Sequence, residues 1–295
     1  MTTITEEPGA EAPGSADAPP VKLPRRYNPV TTTVLAVGSL IILVPLYFIL
    51  AMSLKTGANS GAGAGFAFPF DAAWGNYPKA WETVNAPTAF TWSVIISAIA
   101  VAGNIFIPSM FAWAVVRNWD HKFFRYSFMG LLAGMFIPFV VLVLPQIKLM
   151  AQLGLDNPFG VAILHIMFGL AFNSLMFSAY IRNLPVELEE SAALDGATQF
   201  QIFRKVVFPL LMPMAATVGI FAFLGSWNDY MMPSLIIADV TQQTLPVVQA
   251  SYRDALQTDL NVAFASYALA MIPAIIGYLI GQRWIIAGVM RGAIK

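Results

Sequence analysis

Three carboxylates, Glu187, Glu189 and Glu190, stand close together in a chain of 295 residues in which only 11% are charged. Small residues at 191–193, the pair Asp195-Gly196 and the basic pair Arg204-Lys205 follow them. Acids clustered on one short helix are, on these residues alone, most simply a solvated helix face. They do not form a hydrolytic site. The chain carries no HExxH helix and no Gly-x-Ser-x-Gly elbow. It has no Gly-Lys pair and so no phosphate loop of the Gly-x-x-x-x-Gly-Lys-Ser/Thr kind. Energy for any active transport must come from elsewhere than a phosphate loop on this chain.

The local sequence predicts how these residues are held. Asn183 before Leu184-Pro185 suits a helix start, with Asn as the cap and Pro at an early position that needs no N–H. Glutamates in the first turns then oppose the positive end of the helix dipole. Asp195-Gly196 is expected to end this helix and cap the next. Phe200, Phe203, Val207 and Leu210 then recur at helical spacing, with Gln201, Arg204 and Lys205 turned away. Residues 185–213 thus read as two short helices joined by a turn.

The surroundings of this polar island are those of a membrane. The chain is 58% hydrophobic, with a mean hydropathy of +0.68. A bilayer core of about 30 Å needs roughly 20 helical residues. Six stretches meet that length, at 32–53, 91–116, 127–150, 159–181, 211–237 and 263–286, and each should be helical because irregular backbone cannot face lipid. Of the 16 basic residues, only Lys55, Lys79, Lys148 and Arg253 fall in one set of alternate connections. The rest fall in the other set or near the termini, which by the positive-inside rule places both termini and residues 185–213 in the cytoplasm. Residues 1–28, rich in Ala, Pro, Glu, Gly and Ser, read as a disordered cytoplasmic tail, and 29–295 as the membrane domain. The external loop at 54–90 carries a Gly/Ala run and then Phe66, Phe68, Phe70, Trp74, Tyr77 and Trp81; an interfacial piece and a partner-binding piece are equal readings.

A second group, Trp227, Asn228, Asp229 and Tyr230, falls in the fifth predicted span. Aromatic faces beside hydrogen-bonding groups are the combination that recognises a sugar ring. An ionisable residue at membrane depth faces protein or water, so Asp229 either lines a cavity or makes a structural contact. His165 and Lys148 read as a satisfied helix contact and a snorkelling side chain. Zero net charge gives no basic surface for nucleic acid, two histidines give no metal cluster, and the absence of cysteine excludes disulfides and thiolate chemistry.

The segment ELEESAALDGATQFQIFRKVVFPLLMP resembles the EAA loop of binding-protein-dependent ABC importer permeases. There, Glu-Ala-Ala is followed by Gly at a fixed distance and by a hydrophobic-Pro element. Glu190 stands at the Glu, Ser191 and Ala192 at the alanines, Gly196 at the glycine and Pro209 at the proline. The Asp195-Gly196-Ala197 version, with Phe203 downstream, is similar to the carbohydrate-uptake branch and to its maltose-type second permease. Trp227-Asn228-Asp229-Tyr230 and the C-terminal QRWIIAGVMRGAIK agree with it, and the likeness runs from about residue 30 to 295. Ser191 departs from the usual alanine; its hydroxyl is expected to bond back to a carbonyl one turn earlier.

The resemblance implies an all-α integral membrane protein of the small, type I importer permease fold, with six transmembrane helices. It implies an ATPase-coupling set of Glu187, Glu190, Ser191, Ala192, Ala193, Asp195, Gly196, Ala197, Phe200 and Phe203. The small residues would allow close approach to a groove on the ATPase, and Glu190 would meet a basic side chain there. Trp227, Asn228, Asp229 and Tyr230 stand, on their residue types, as a candidate substrate pathway, with a structural contact of Asp229 to the partner permease an equal reading. The implied partners are a second homologous permease, an ABC ATPase dimer, an extracytoplasmic solute-binding protein and membrane lipid, with no nucleic acid. No metal and no cofactor is expected on this chain; ATP and Mg belong to the partner ATPase, and this chain is expected not to be an enzyme. The implied role is half of a heterodimeric sugar-import pathway in the cell membrane. Two rivals are ABC permeases for other solutes, such as glycerol phosphates or peptides, and an ion-driven secondary transporter, which would lack a reason for the EAA-like loop.

Overall fold

The computed structural model describes residues 28–57, 65–83, 85–251 and 259–293, with the side chains of 251 and 283–293 outside that description. The expected tail at 1–28 therefore lies almost wholly outside it. So do most of the Gly/Ala run and the loop residues Tyr252, Arg253 and Asp254. Among the described residues the chain is helical and contains no strand. It divides at Pro45 into two compact units. The first contains Pro29–Pro45, the apolar start of α1 (Pro29–Ser53), whose side chains are largely exposed, as with Val30, Ile41 and Ile42.

The second unit, from Leu46 on, holds the rest. Its elements are α2 (Asn76–Thr83), α3 (Ala86–Arg117), α4 (Lys122–Gly134), α5 (Phe139–Gln152), α6 (Pro158–Ile181), α7 (Glu187–Leu194) and α8 (Gln199–Ile202), followed by a π turn at Phe203–Val207. Then come α9 (Phe208–Trp227), α10 (Met231–Ile236), a 3-10 turn (Val240–Gln242), α11 (Leu245–Ser251) and α12 (Leu260–Ala293). Among the described residues five helical stretches are long and apolar enough to cross a membrane: 29–53, 86–117, 158–181, 199–227 and 260–282. A sixth crossing requires α4 and α5 together, and these are bent by 104°.

That bend corrects the continuous third span expected at 127–150. Pro138, extended at φ −60° and ψ 136°, precedes α5 and supplies no N–H to continue α4. The fifth span is corrected as well: α9 ends at Trp227 rather than running to 237, and Ile237 begins an extended connection. Pro45, Pro108, Pro145, Pro213 and Pro273 lie inside helices that continue through them.

Helices in lipid gain nothing from burying apolar surface against one another, so association depends on close packing and interhelical hydrogen bonds. The principal pair, α3 with α6, uses both. A Cβ at Gly103 would run into Ile166, and one at Gly169 would run into Asn104. In that space the buried Asn173 Nδ2 donates to Asn104 Oδ1 at 2.7 Å, while Asn104 Nδ2 donates to the Ala100 carbonyl at 2.9 Å. One core cluster gathers at the end of the bundle formed by residues 112, 177–181 and 202–218; two more lie toward the opposite end, around Trp227 and around Val161.

Candidate functional site

The polar island folds as two short helices and a turn, but with different caps from those expected. Asn183 turns back to donate to the Ala179 carbonyl at 2.9 Å and so closes α6 rather than capping α7. The end of α7 is a left-handed glycine closure: Gly196 has φ +79°, its N–H donates to the Ala193 carbonyl at 3.0 Å, and the Ala197 N–H donates to the Ala192 carbonyl at 3.0 Å. A positive φ is what selects glycine here, because nothing lies within 4 Å of a Cβ built at that position. The next helix is capped by Thr198, not Asp195. The Gln201 N–H donates to Thr198 Oγ1 at 3.4 Å, and Gln201 Oε1 accepts from the Thr198 N–H at 2.8 Å, a reciprocal capping box.

α7 divides its residues sharply between two faces. Glu187, Glu190, Ser191 and Leu194, at helical spacing, are all exposed. Ser191 Oγ donates to the Glu187 carbonyl at 2.7 Å, the back-bond expected of it. Glu189 and Ala192 lie on the other side and are half-buried. Glu189 is the anchor. Its carboxylate accepts from Trp113 Nε1 at 2.8 Å, and from Arg117 Nε at 3.0 Å and Nη2 at 2.6 Å, both residues belonging to the last turns of α3. With the side chains only 11% and 20% exposed, this pair is shielded enough to be stronger than an ordinary surface bridge.

The second arm is seated through its π turn. Pro209, in the first turn of α9, lacks an N–H and its ring would crowd the carbonyl four residues earlier. The widened turn at Phe203–Val207 accommodates this, with the Phe208 N–H donating to the Phe203 carbonyl. The extra residue also shifts the buried stripe. Ile202, Phe203, Val207 and Leu211 are inside, whereas Phe200 and Leu210, expected inside by simple 3.6-residue spacing, are 59% and 38% exposed.

These placements sort the expected coupling set. Glu187, Glu190, Ser191, Ala193, Asp195, Gly196 and Phe200 are exposed. Phe203 is not: it is 3% exposed, 5.5 Å from the Trp113 ring and 5.8 Å from Phe208, so it seats the loop and offers no surface to a partner. Ala192 and Ala197 likewise pack against the cluster beneath the loop. The exposed leucines Leu188 and Leu194, the latter 90% exposed, join the outer face and were missed in sequence because an apolar residue beside a membrane span reads as part of the span. Glu189 was missed as an anchor for want of any signal linking it to Arg117, so distant in the chain.

The Trp227 to Tyr230 group does not act as one surface. Trp227 is 3% exposed, packs edge-to-face on Phe90 and stacked on Phe223, and donates through Nε1 to the Ala270 carbonyl at 3.1 Å. Within this chain it is a core residue. Asp229 sits at the break between α9 and α10. Its Oδ1 accepts from the N–H groups of Met231 at 2.9 Å and Met232 at 3.3 Å, and its Oδ2 lies 3.3 Å from His165 Nε2 of α6. Asn228 Nδ2 returns to the Leu224 carbonyl at 2.8 Å, and Tyr230 is 51% exposed. Among the described residues no group of His, Cys, Asp and Glu is placed to hold a metal.

Residues 105–291 match the family described as binding-protein-dependent transport system inner membrane component. The multiple sugar-binding transport system permease protein MsmG of Streptococcus mutans is 35% identical over 266 residues, covering 88% of this chain and 95% of that protein. The melibiose/raffinose/stachyose import permease protein MelC of Bacillus subtilis is 30% identical over 254 residues, covering 85% and 91%. Among solved structures, a chain of a bacterial ABC transporter involved in import of the acidic polysaccharide alginate aligns with a TM-score of 0.75 and 25% identity, over 86% of this chain and 94% of that one.

Proposed function

Because the chain belongs to the binding-protein-dependent transport system inner membrane component family, we infer that its exposed 187–200 face is where a separate ATPase grips a sugar-import permease. The chain is a multi-pass cell-membrane permease of a carbohydrate ABC importer. Its substrate class is an oligosaccharide, a reading supported by the substrates in its relatives' names. It pairs with a second homologous permease, receives sugar from an extracytoplasmic binding protein and performs no catalysis itself, ATP and Mg being bound by the partner ATPase dimer. Residues 185–213 and both termini face the cytoplasm, in keeping with the distribution of basic residues.

The observation that carries the coupling role is the division of α7. Its outer face presents Glu187, Glu190, Ser191 and Leu194, while its inner face is bound to α3 by the Glu189 to Arg117 bridge. Movement imposed on the outer face by the closing ATPase is passed to α3 through that bridge, and to α9 through the packed Phe203 and Val207. Reconstitution with the partner permease, ATPase and binding protein tests it. Uptake of a labelled oligosaccharide should require ATP and stop with vanadate. Uptake driven by an ion gradient without ATP would overturn the reading.

A further inference from the structure

The end of α1 opposite the coupling site is closed by an unusually complete set of bonds. Asn261 Nδ2 donates to the Met52 carbonyl at 2.7 Å, Asn76 Nδ2 to the carbonyls of Ser53 and Lys55 at 2.8 Å each, and the Ala73 N–H to the Leu54 carbonyl at 2.8 Å. Of the segment 65–74, sequence GFAFPFDAAW, Ala73 stays at this level but Gly65 and Phe66 do not. They turn back along α1: Tyr47 Oη donates to the Phe66 carbonyl at 3.0 Å, and the Phe66 ring lies 5.0 Å from that of Phe48. Gly65 makes the approach possible, since a Cβ there would lie 2.6 Å from the Phe48 ring. Lys55, 3% exposed, donates to the Gly65 carbonyl at 3.2 Å. Tyr47 stands six residues before Ser53, about 9 Å down the helix at 1.5 Å per residue.

The returning segment ends in a cluster of uncovered rings. Phe66, Phe68, Phe70 and Trp74 are 59%, 63%, 89% and 67% exposed, and Asp71 is the one charge among them. We propose that residues 65–74 are an aromatic wedge inserted into the outer interface of the bilayer beside α1, with lipid as its occupant. Three features favour lipid over a protein partner. Phe66 is bonded to Tyr47 about 9 Å along α1 from its end, a displacement comparable with the roughly 5–10 Å over which interfacial segments bury their apolar face. The Gly65 and Phe66 carbonyls are satisfied by Lys55 and Tyr47, as backbone shielded from water requires, whereas a loop in water could leave them hydrated. The rings continue the exposed flank of Tyr47 and Leu50 on α1, and they lack the polar rim of a soluble docking surface.

The chain has no cysteine, so a single reporter thiol can be placed without background from this chain, the partner subunits being made cysteine-free. Phe70→Cys, and separately Phe68→Cys, would be labelled with bimane in the assembled transporter in proteoliposomes, with Val240→Cys of the exposed 3-10 turn as a water-facing control. Nitroxide-bearing lipid should quench the Phe70 and Phe68 positions several-fold more than aqueous iodide does, with the reverse at Val240, and adding the binding protein should change neither. Stronger quenching by iodide would overturn the wedge. Protection from both quenchers, or protection that appears with the binding protein, would overturn it in favour of a protein contact.

Discussion

Glu189 of α7 accepts the Arg117 guanidinium at 2.6 Å, so the short helix that carries the exposed acids is tied by charge to the last turn of α3. Arg117→Ala leaves a shielded carboxylate without its cation, which at a buried site costs about 3 kcal/mol. Thermal unfolding of the purified complex should report that loss. Uptake per ATP hydrolysed should fall further than ATP hydrolysis itself. Glu189→Gln, which keeps an acceptor for Trp113 Nε1, should be milder.

Gly196 separates conformation from access. Its φ of +79° costs an L-residue about 1 kcal/mol, less for Asn, and no neighbour obstructs a small side chain. Gly196→Asn should therefore retain uptake and Gly196→Ala should lose a little stability. Gly196→Trp should insert normally yet hydrolyse ATP without transport, because its ring occupies the docking face. Unchanged uptake by the Trp variant would remove Gly196 from that face.

Asp229 is expected to matter through its oxygen as a cap rather than through its charge. Asp229→Asn keeps an acceptor for the N–H groups of Met231 and Met232, so uptake should persist; Asp229→Ala should cost about 1 kcal/mol as the cap is lost. Loss of sugar affinity in the Asn variant, with thermal stability intact, would return Asp229 to the substrate pathway.

Within the bundle, Asn173→Ala removes one buried interhelical hydrogen bond, worth about 0.6 to 1.7 kcal/mol in a membrane. Gly169→Leu should be far worse, since even a Cβ there meets Asn104. Urea or thermal titration of both variants orders them, and equal stability would show that the helices separate freely at this point.

At the opposite end, Lys79 Nζ donates to Asp259 Oδ2 at 2.6 Å, and this hydrogen bond is the main reason the Asp259 carboxyl is held below its ordinary value. A lowered folded-state pKa means that the stabilisation is fully present above the ordinary carboxylate pKa of about 3.9 and is lost as pH falls through the lowered one. The pair is exposed, so its worth is about 0.2–1 kcal/mol. Lys79→Gln should lower the melting temperature slightly at pH 6–8, and the difference from the parent should vanish in strong acid.

Much of this was legible in sequence because long apolar runs between polar connections leave few alternatives in a bilayer. The Ser191 back-bond and the glycine ending α7 were read from local chemistry, which short-range geometry nearly determines. What escaped was non-local or depended on one inserted residue. The π turn before Pro209 exchanged Phe200 and Leu210 for Ile202 and Leu211 in the core, a shift that a fixed 3.6-residue period does not contain. The fold of α4 against α5 at Pro138 broke a hydrophobic run that composition alone joined. Trp227 looked like a sugar platform by residue type; only packing against Phe90 and Phe223 made it core.

The outward face of α7 carries the central claim, and cysteine crosslinking in the assembled importer tests it most directly. With no native cysteine in the chain, Leu194→Cys and Phe200→Cys should crosslink to the ATPase subunit, with yields that change between the nucleotide-free and ATP-bound states. Ala192→Cys, facing the core, should not. Absence of crosslinks from 194 and 200, or an equal yield from 192, would contradict the account.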